Sequence, residues 1–360
     1  MSDNRRVYST IRMAIKQLSP TEPKGNKARM LNTLAGMIAG IVQAKSCQLP
    51  AIARKTPDLA KADSRIKRYS RWVQNERIDY EGYYLPFVWD LLTSLAQIRE
   101  LVFIIDGSEV GHHCITLMIS LIYGKRALPI TWLVVKGCKG HLPEQLHLDL
   151  LTQLQAILPK NCQAIFLGDG EFDGIQLQEA LKSLGLQYVC RTAKNIVVCH
   201  HEHEFAFETV PLEPGERFSL PQVTPRNQGY GPVHAIAWWG EGYDAPIYLL
   251  TNLEGVDEAC NWYRKRARIE TFFSDQKSRG FHLDKSHLSD PHRLSRLMIA
   301  ACLAYIWIID LGVRALRDKW RKFLHRTKRC DPSLFQFGLR LLDLLLNEGR
   351  CIPVSFQLAE

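Results

Sequence analysis

The chain has 360 residues, 46% of them hydrophobic, and a formal net charge of +9. It is too long for one small domain and suits two or three with a real core, and its charge favours a polyanionic partner. Its ten cysteines are scattered singly with no C-x-x-C pair, which argues against a zinc ribbon or a disulfide scaffold and for reduced thiols in a cytosol.

The opening, MSDNRRVYST, lacks the apolar core of a secretion signal. Residues 1–25 are polar and end in Pro20, Pro23 and Gly25, which predicts a loosely docked arm. Residues 28–46 have an apolar helical face, and 49–56 read as a short helical turn broken at Pro57. Over 61–74, Lys61, Arg65 and Arg68 share one helical face and Ile66, Tyr69 and Val73 another. A basic stripe backed by an apolar one, behind short helices, resembles a helix-turn-helix DNA reader. Residues 79–97 continue as helix into the main domain.

The run LVFIID at 101–106 predicts a buried strand ending in an acid. Residues 115–123 and 128–135 follow as β-rich runs around Gly124, so three antiparallel neighbours are expected. Then come a helix at 143–158, a strand at 164–167 closed by Gly168-Asp169-Gly170, a helix at 173–184 and a strand at 187–191. This is the element order of a ribonuclease H-like core, an α/β fold with a mixed sheet. Residues 195–252, with their prolines, glycines and aromatics, predict a β-rich insertion. One helix is expected over 256–279, with further helices at 291–320 and 333–347 and a Lys/Arg-dense stretch at 319–329. The apolar run 297–309 falls short of the roughly twenty residues of a membrane span and reads as a buried helix. The expected divisions are a helical DNA-binding region (1–97), the core (98–194), the insertion (195–254), the completing helix (255–290) and a C-terminal helical region (291–360).

The helix at 256–279 contains Tyr263, Arg266, Glu270 and Lys277 as Y-x2-R-x3-E-x6-K. At about 100° per residue these four fall within one arc about 60° wide. A stripe of one acid, two bases and a phenol is costly to bury against an apolar core, but it suits a phosphate and a metal ion. A second stripe, Trp262, Ile269 and Phe273, would anchor the helix. Asp106 and Asp169 each end an apolar strand, so their carboxylates converge if the strands are neighbours, and Glu270 would complete a triad. Three oxygen donors of this kind suit Mg²⁺ or Mn²⁺, and two such ions about 3.5–4 Å apart serve phosphodiester cleavage. The ordinary alternatives are that a strand-end aspartate is a turn or cap residue and that a charged helical face is merely solvated.

Taken together, these motifs resemble a DDE transposase of a bacterial insertion sequence, of the cut-and-paste branch with a Y-R-E-K motif. The motif is complete, and the aspartates match in IIDGS and FLGDGEFDG. The resemblance covers about residues 60–290. It implies that Asp106, Asp169 and Glu270 are catalytic metal ligands for two Mg²⁺ ions, with Mn²⁺ as substitute. It implies that Tyr263, Arg266 and Lys277 contact phosphates, by hydroxyl, bidentate guanidinium and point charge respectively. It further implies nicking of double-stranded terminal repeats, a hairpin intermediate, joining to target DNA, and a homodimer on DNA in the bacterial cytoplasm or nucleoid, with no membrane partner. Trp238 and Trp239 are the candidates for stacking on a flipped base at the hairpin. The alternatives are a catalytically silent end-binding repressor and a ribonuclease H-like nuclease without strand transfer.

Other groups are set aside. Cys199, His200, His201 and His203 are too nearly adjacent on a strand to share one ion. Glu171 and Asp173 crowd Asp169, but the strand end favours Asp169, and Asp173 reads as a helix N-cap. Arg191 and Lys194 are either DNA contacts or ordinary surface charges.

Overall fold

The computed structural model describes residues 2–358 except 20, 138–139, 141, 202, 226–229, 319 and 326–331. Six helices precede the first strand: α1 (Asp3–Leu18), α2 (Gly25–Ala44), α3 (Leu49–Arg54), α4 (Ala62–Gln74), α5 (Tyr80–Tyr83) and α6 (Leu85–Ile98). The expected loose arm is instead a docked helix. Val7, Ile11, Ala14 and Ile15 of α1 are buried, and Arg6 donates to the carbonyls of Leu346 and Arg350 at 2.8 and 2.6 Å. Polar composition hid a helix whose apolar residues recur at positions 7, 11 and 15, a single stripe. The helix expected over 79–97 is two, because α5 and α6 part at Tyr84, ahead of Pro86 at the start of α6.

The sheet begins with β1 (Leu101–Glu109), β2 (Cys114–Tyr123) and β3 (Arg126–Lys136). Next come α7 (Glu144–Ile157), β4 (Ala164–Gly168), α8 (Ile175–Ser183) and β5 (Gln187–Thr192). Sheet order is β3-β2-β1-β4-β5, with β1–β2–β3 antiparallel and β1, β4 and β5 parallel. This is the ribonuclease H-like mixed sheet. Leu101 to Ile105 are all buried, as expected of a strand covered on both faces.

The β-rich segment supplies β6 (Val197–His200), β7 (His203–Ala206), β8 (Arg217–Pro225), β9 (Val233–Trp238) and β10 (Ile247–Thr251). These strands extend the central sheet: β10 pairs with β5 and the order continues β10-β9-β8-β6-β7. The chain then forms α9 (Val256–Tyr263), α10 (Arg268–Gln276), α11 (Pro291–Arg317), α12 (Arg321–Leu324) and α13 (Leu334–Asn347). Part of the basic stretch at 319–329 lies outside the described residues.

Helix α11 lies at the centre of the helical layer, against α13, α2, α4 and β3. Its apolar length would suffice to cross a membrane, yet the protein buries it. Arg296 of α11 donates to the carbonyls of Val73 and Ile78, which ties the N-terminal helices to the core. Two glycines let α11 and α13 touch backbone to backbone. A Cβ on Gly312 would strike the Leu334 carbonyl, and one on Gly338 the Ile308 carbonyl.

Candidate active site

The parallel register of β1 and β4 ends with Ile104 opposite Leu167. Two residues further along stand Asp106, which lies inside β1 rather than at its expected end because pairing with β2 continues to Glu109, and Asp169, just past β4. Each aspartate ties one carboxylate oxygen to backbone: Asp106 Oδ1 accepts from Gly107 N–H at 2.7 Å, and Asp169 Oδ1 from Glu171 N–H at 3.0 Å. The other oxygen of each faces one guanidinium nitrogen, Arg266 Nη1, at 3.6 Å. Arg266 Nη2 donates to Glu270 Oε1 at 2.9 Å. All four line one cavity of about 410 Å³, together with Ser108, Glu109 and Glu171.

The expected single helix over 256–279 is broken. Between α9 and α10 the bonds Arg266 N→Tyr263 O, Arg268 N→Lys265 O, Ile269 N→Arg266 O and Glu270 N→Ala267 O all span three residues. Such turns carry three residues each rather than 3.6, so the one-arc geometry does not hold. Tyr263 is 5% exposed, and burial pushes its phenol up to about 12, with Arg266, Arg191 and Asp169 as the nearby charges, so it stays protonated on the side of the acids. Arg266 points into the acids. Lys277 follows the last turn of α10, and its ammonium donates to Ser108 Oγ on β1 at 2.6 Å, at the cavity wall. The anchoring stripe is present in Ile269 and Phe273, which are buried, whereas Trp262 is half-buried.

Burial pushes the Asp106 carboxyl up to about 6, helped by the negative charge of Asp169; Arg266 and the Gly107 N–H act the other way. The side chains of Asp106 and Arg266 are each 17% exposed, against 60% for Glu270, so the cluster grades from a shielded floor to an open lip. As placed, no three acidic, histidine or cysteine groups among the described residues could hold a single metal ion. At the acids, Arg266 stands between the three carboxylates. The donor set still fits a hard divalent cation, because it offers carboxylate oxygens and its middle is already held by positive charge.

Glu171, which crowds Asp169 in the sequence, lines the same cavity with its carboxylate and accepts from Leu142 N–H at 2.8 Å. Beside it, 4.0 Å from Glu171 Oε1, lies His147, which is 2% exposed with neither ring nitrogen hydrogen-bonded. Burial lowers its pKa and favours the neutral ring. His147 carries no motif, and the packing of α7 on β3, β2 and α8 brings it to the site, whereas Glu171 stands two residues past Asp169. Asp173 does not cap α8, whose N-cap is Gly174; it accepts instead from Thr192 Oγ1.

Residues 98–307, more than half of the chain, match the family described as transposase DDE domain. The chain belongs to that family. It is a DDE transposase, an enzyme of DNA transposition. No curated protein matches it. A solved structure similar to it is the piggyBac transposase synaptic complex with hairpin DNA, at 12% identity over 96% of this chain and 78% of that one, with a TM-score of 0.44.

The other candidate residues of the transposase lie apart from the acids. Trp238 is closed to a base. It is 2% exposed, with the Arg264 guanidinium over its ring at 4.7 Å and Tyr243 edge-on at 5.2 Å. It faces the core because it ends β9, opposite Ile247. Trp239 is half-buried, and its indole N–H donates to the Tyr243 carbonyl. On α4, Arg65 donates to the Thr56 carbonyl and Arg68 pairs with Asp58, while Lys61 is exposed at the helix N-cap. Lys194 pairs with Glu208 at 3.5 Å and Arg191 is exposed. The Cys199 and histidine cluster sits on the β6–β7 hairpin, where Cys199 Sγ contacts Glu204.

Proposed function

We propose that this transposase belongs to the bacterial insertion-sequence branch with the Y-R-E-K motif, and that it cuts double-stranded DNA at the ends of its element and joins them to a target. The observation that carries this reading is the set of three acids from β1, the end of β4 and α10 around one cationic centre in one cavity. Asp106, Asp169 and Glu270 would hold Mg²⁺ or Mn²⁺. A pair of such ions supplies an activated oxygen nucleophile and stabilises the leaving oxygen at a phosphodiester.

The chain's own residues then divide the remaining work. The backbone N–H groups of Gly107 and Glu171 fix the two aspartate carboxylates, so that their free oxygens stay aimed at the cavity without reorganisation. Glu270, on the exposed lip, closes the set from the side where DNA enters. Lys277, held at Ser108 on the cavity wall, and Arg266 are the cations for the phosphates flanking the cut. The Tyr263 phenol, kept protonated, is a hydroxyl donor to the same backbone. Lys61, Arg65 and Arg68 of α4 form the basic face for the terminal repeat. Trp239 is the remaining candidate for stacking on a base at a hairpin end. Synapsis of two ends calls for a homodimer.

The deciding experiment is cleavage of a labelled terminal-repeat duplex by the full chain with Mg²⁺ and with EDTA. Metal-dependent nicking, followed by hairpin ends and joined target plasmid, is the expected result. Tight end binding with no cleavage in any divalent metal would instead make the chain a repressor, and cleavage without a joined product would make it a nuclease.

A further inference from the structure

The Arg266 guanidinium is the centre of the acid cluster. Two of its nitrogens face three carboxylates: Asp106 Oδ2 and Asp169 Oδ2 at 3.6 Å and Glu270 Oε1 at 2.9 Å. The two aspartate oxygens therefore stand at most twice 3.6 Å apart, around a group already bearing positive charge. A divalent ion binding these same oxygens at about 2.0–2.1 Å would lie within a few ångströms of Nη1. Two cations so close in a half-shielded cavity repel strongly. The arginine stands in a tight turn between two helices rather than within one.

We propose that Arg266 is a built-in cation that keeps the acid cluster closed to divalent metal until the guanidinium is drawn away. This rests on the reading that the three acids are the metal ligands, and it adds a regulation to that site. In the DNA-free protein the arginine and the metal compete for the same oxygens. An anionic group entering the cavity, of which a DNA phosphate is the relevant kind, gives the displaced guanidinium a new partner. Metal loading thus waits for the substrate, and the free enzyme is spared indiscriminate nicking. The coupling is reciprocal: whatever draws Arg266 out tightens metal binding by the same factor by which metal favours its departure.

The test is Mn²⁺ binding to the full-length, DNA-free protein, followed by the electron paramagnetic resonance of free Mn²⁺. R266Q, which keeps a polar amide on a shorter side chain but loses the charge, is expected to bind Mn²⁺ at least 10-fold more tightly than wild type. R266K, which keeps the charge, should stay within a few-fold of wild type. D106N should lose the site in either background. Thermal melts show whether each variant folds: R266Q should melt below wild type in EDTA and gain more from added Mn²⁺. Unchanged or weaker Mn²⁺ affinity in R266Q, with the site still lost in D106N, overturns the competition and leaves the ligand assignment standing. No D106N-sensitive Mn²⁺ site in any of these proteins overturns both.

Discussion

Asp106 and Asp169 occupy equivalent positions along two parallel strands, Asp106 inside β1 opposite Met118 and Asp169 one residue past the end of β4. Ile104 pairs with Leu167, and two steps further along each strand stands an aspartate whose free oxygen is 3.6 Å from Arg266 Nη1. Adjacent parallel strands cannot slip by one residue without turning these side chains to the opposite face. The apolar register from Leu101 to Ile104 therefore fixes the acid pair.

If these acids do the chemistry, removing one charge removes it all. D106N, D169N and E270Q are each expected to lose at least 100-fold in cleavage rate of a labelled terminal-repeat duplex, in line with the loss of one preorganised charge-stabilising group. End binding in a gel shift should stay within a few-fold of wild type. Near wild-type cleavage in any one variant would exclude that residue from the site.

Asp106 also links stability to pH. Its folded pKa of about 6 is above the usual carboxylate value, so the native state holds this proton more tightly than the unfolded chain. The resulting stability is present below pH 4 and is lost as pH rises through about 6. Above that pH the metal-free protein carries a strained charge costing about 2 to 3 kcal/mol. In EDTA, D106N should therefore exceed wild type in denaturant unfolding by about 2 kcal/mol at pH 7.5 and match it near pH 4. Equal stability at both pH values would contradict the shift.

Trp238 and Trp239 should separate cleanly. Trp238→Ala empties a core position and is expected to cost about 3–5 kcal/mol of folding stability. Trp239→Ala should fold with little loss and lower hairpin yield about tenfold, the value of one base–aromatic stack. Undiminished hairpin formation by Trp239→Ala, measured on a denaturing gel, would remove this tryptophan from the reaction.

Gly338 tests the α11–α13 contact. In an ordinary helix Gly→Ala stabilises by about 1 kcal/mol. Here the new Cβ would meet the Ile308 carbonyl, which cannot yield without moving α11. G338A is expected to destabilise by about 2 kcal/mol, against the helical trend; a raised melting temperature would show that the helices do not pack this closely.

The basic face of α4 should divide as its contacts do. Lys61→Ala is expected to weaken binding to all duplexes alike and to reduce the salt slope of log K by about 1. Arg65→Ala, which removes a bond to the Thr56 carbonyl, should lower the melting temperature as well. An unchanged salt slope for Lys61→Ala would take α4 away from the DNA.

What the sequence by itself determined was local and periodic. Apolar runs set β1, β2, β3 and β4, and an acid closing such a run marks where the chain leaves the apolar core, so Asp106 and Asp169 were legible, although β1 runs on past Asp106 to Glu109. The pattern Y-x2-R-x3-E-x6-K brought Arg266 and Glu270 forward because residues four apart meet on any helix, and that pair survives as a 2.9 Å contact. The tertiary structure decided everything that depends on desolvation by distant segments. Residues 195–252 were legible as a β-rich insertion, and only the fold showed that their strands β10 and β9 extend the sheet from β5. The break between α9 and α10 buries Tyr263 and turns Arg266 into the acids. Trp238 is closed off by Arg264 and Tyr243, and Arg6 meets carbonyls more than three hundred residues away. Propensity and periodicity act between near neighbours. Which charge is shielded, and by which partner, depends on chain segments that only folding brings together.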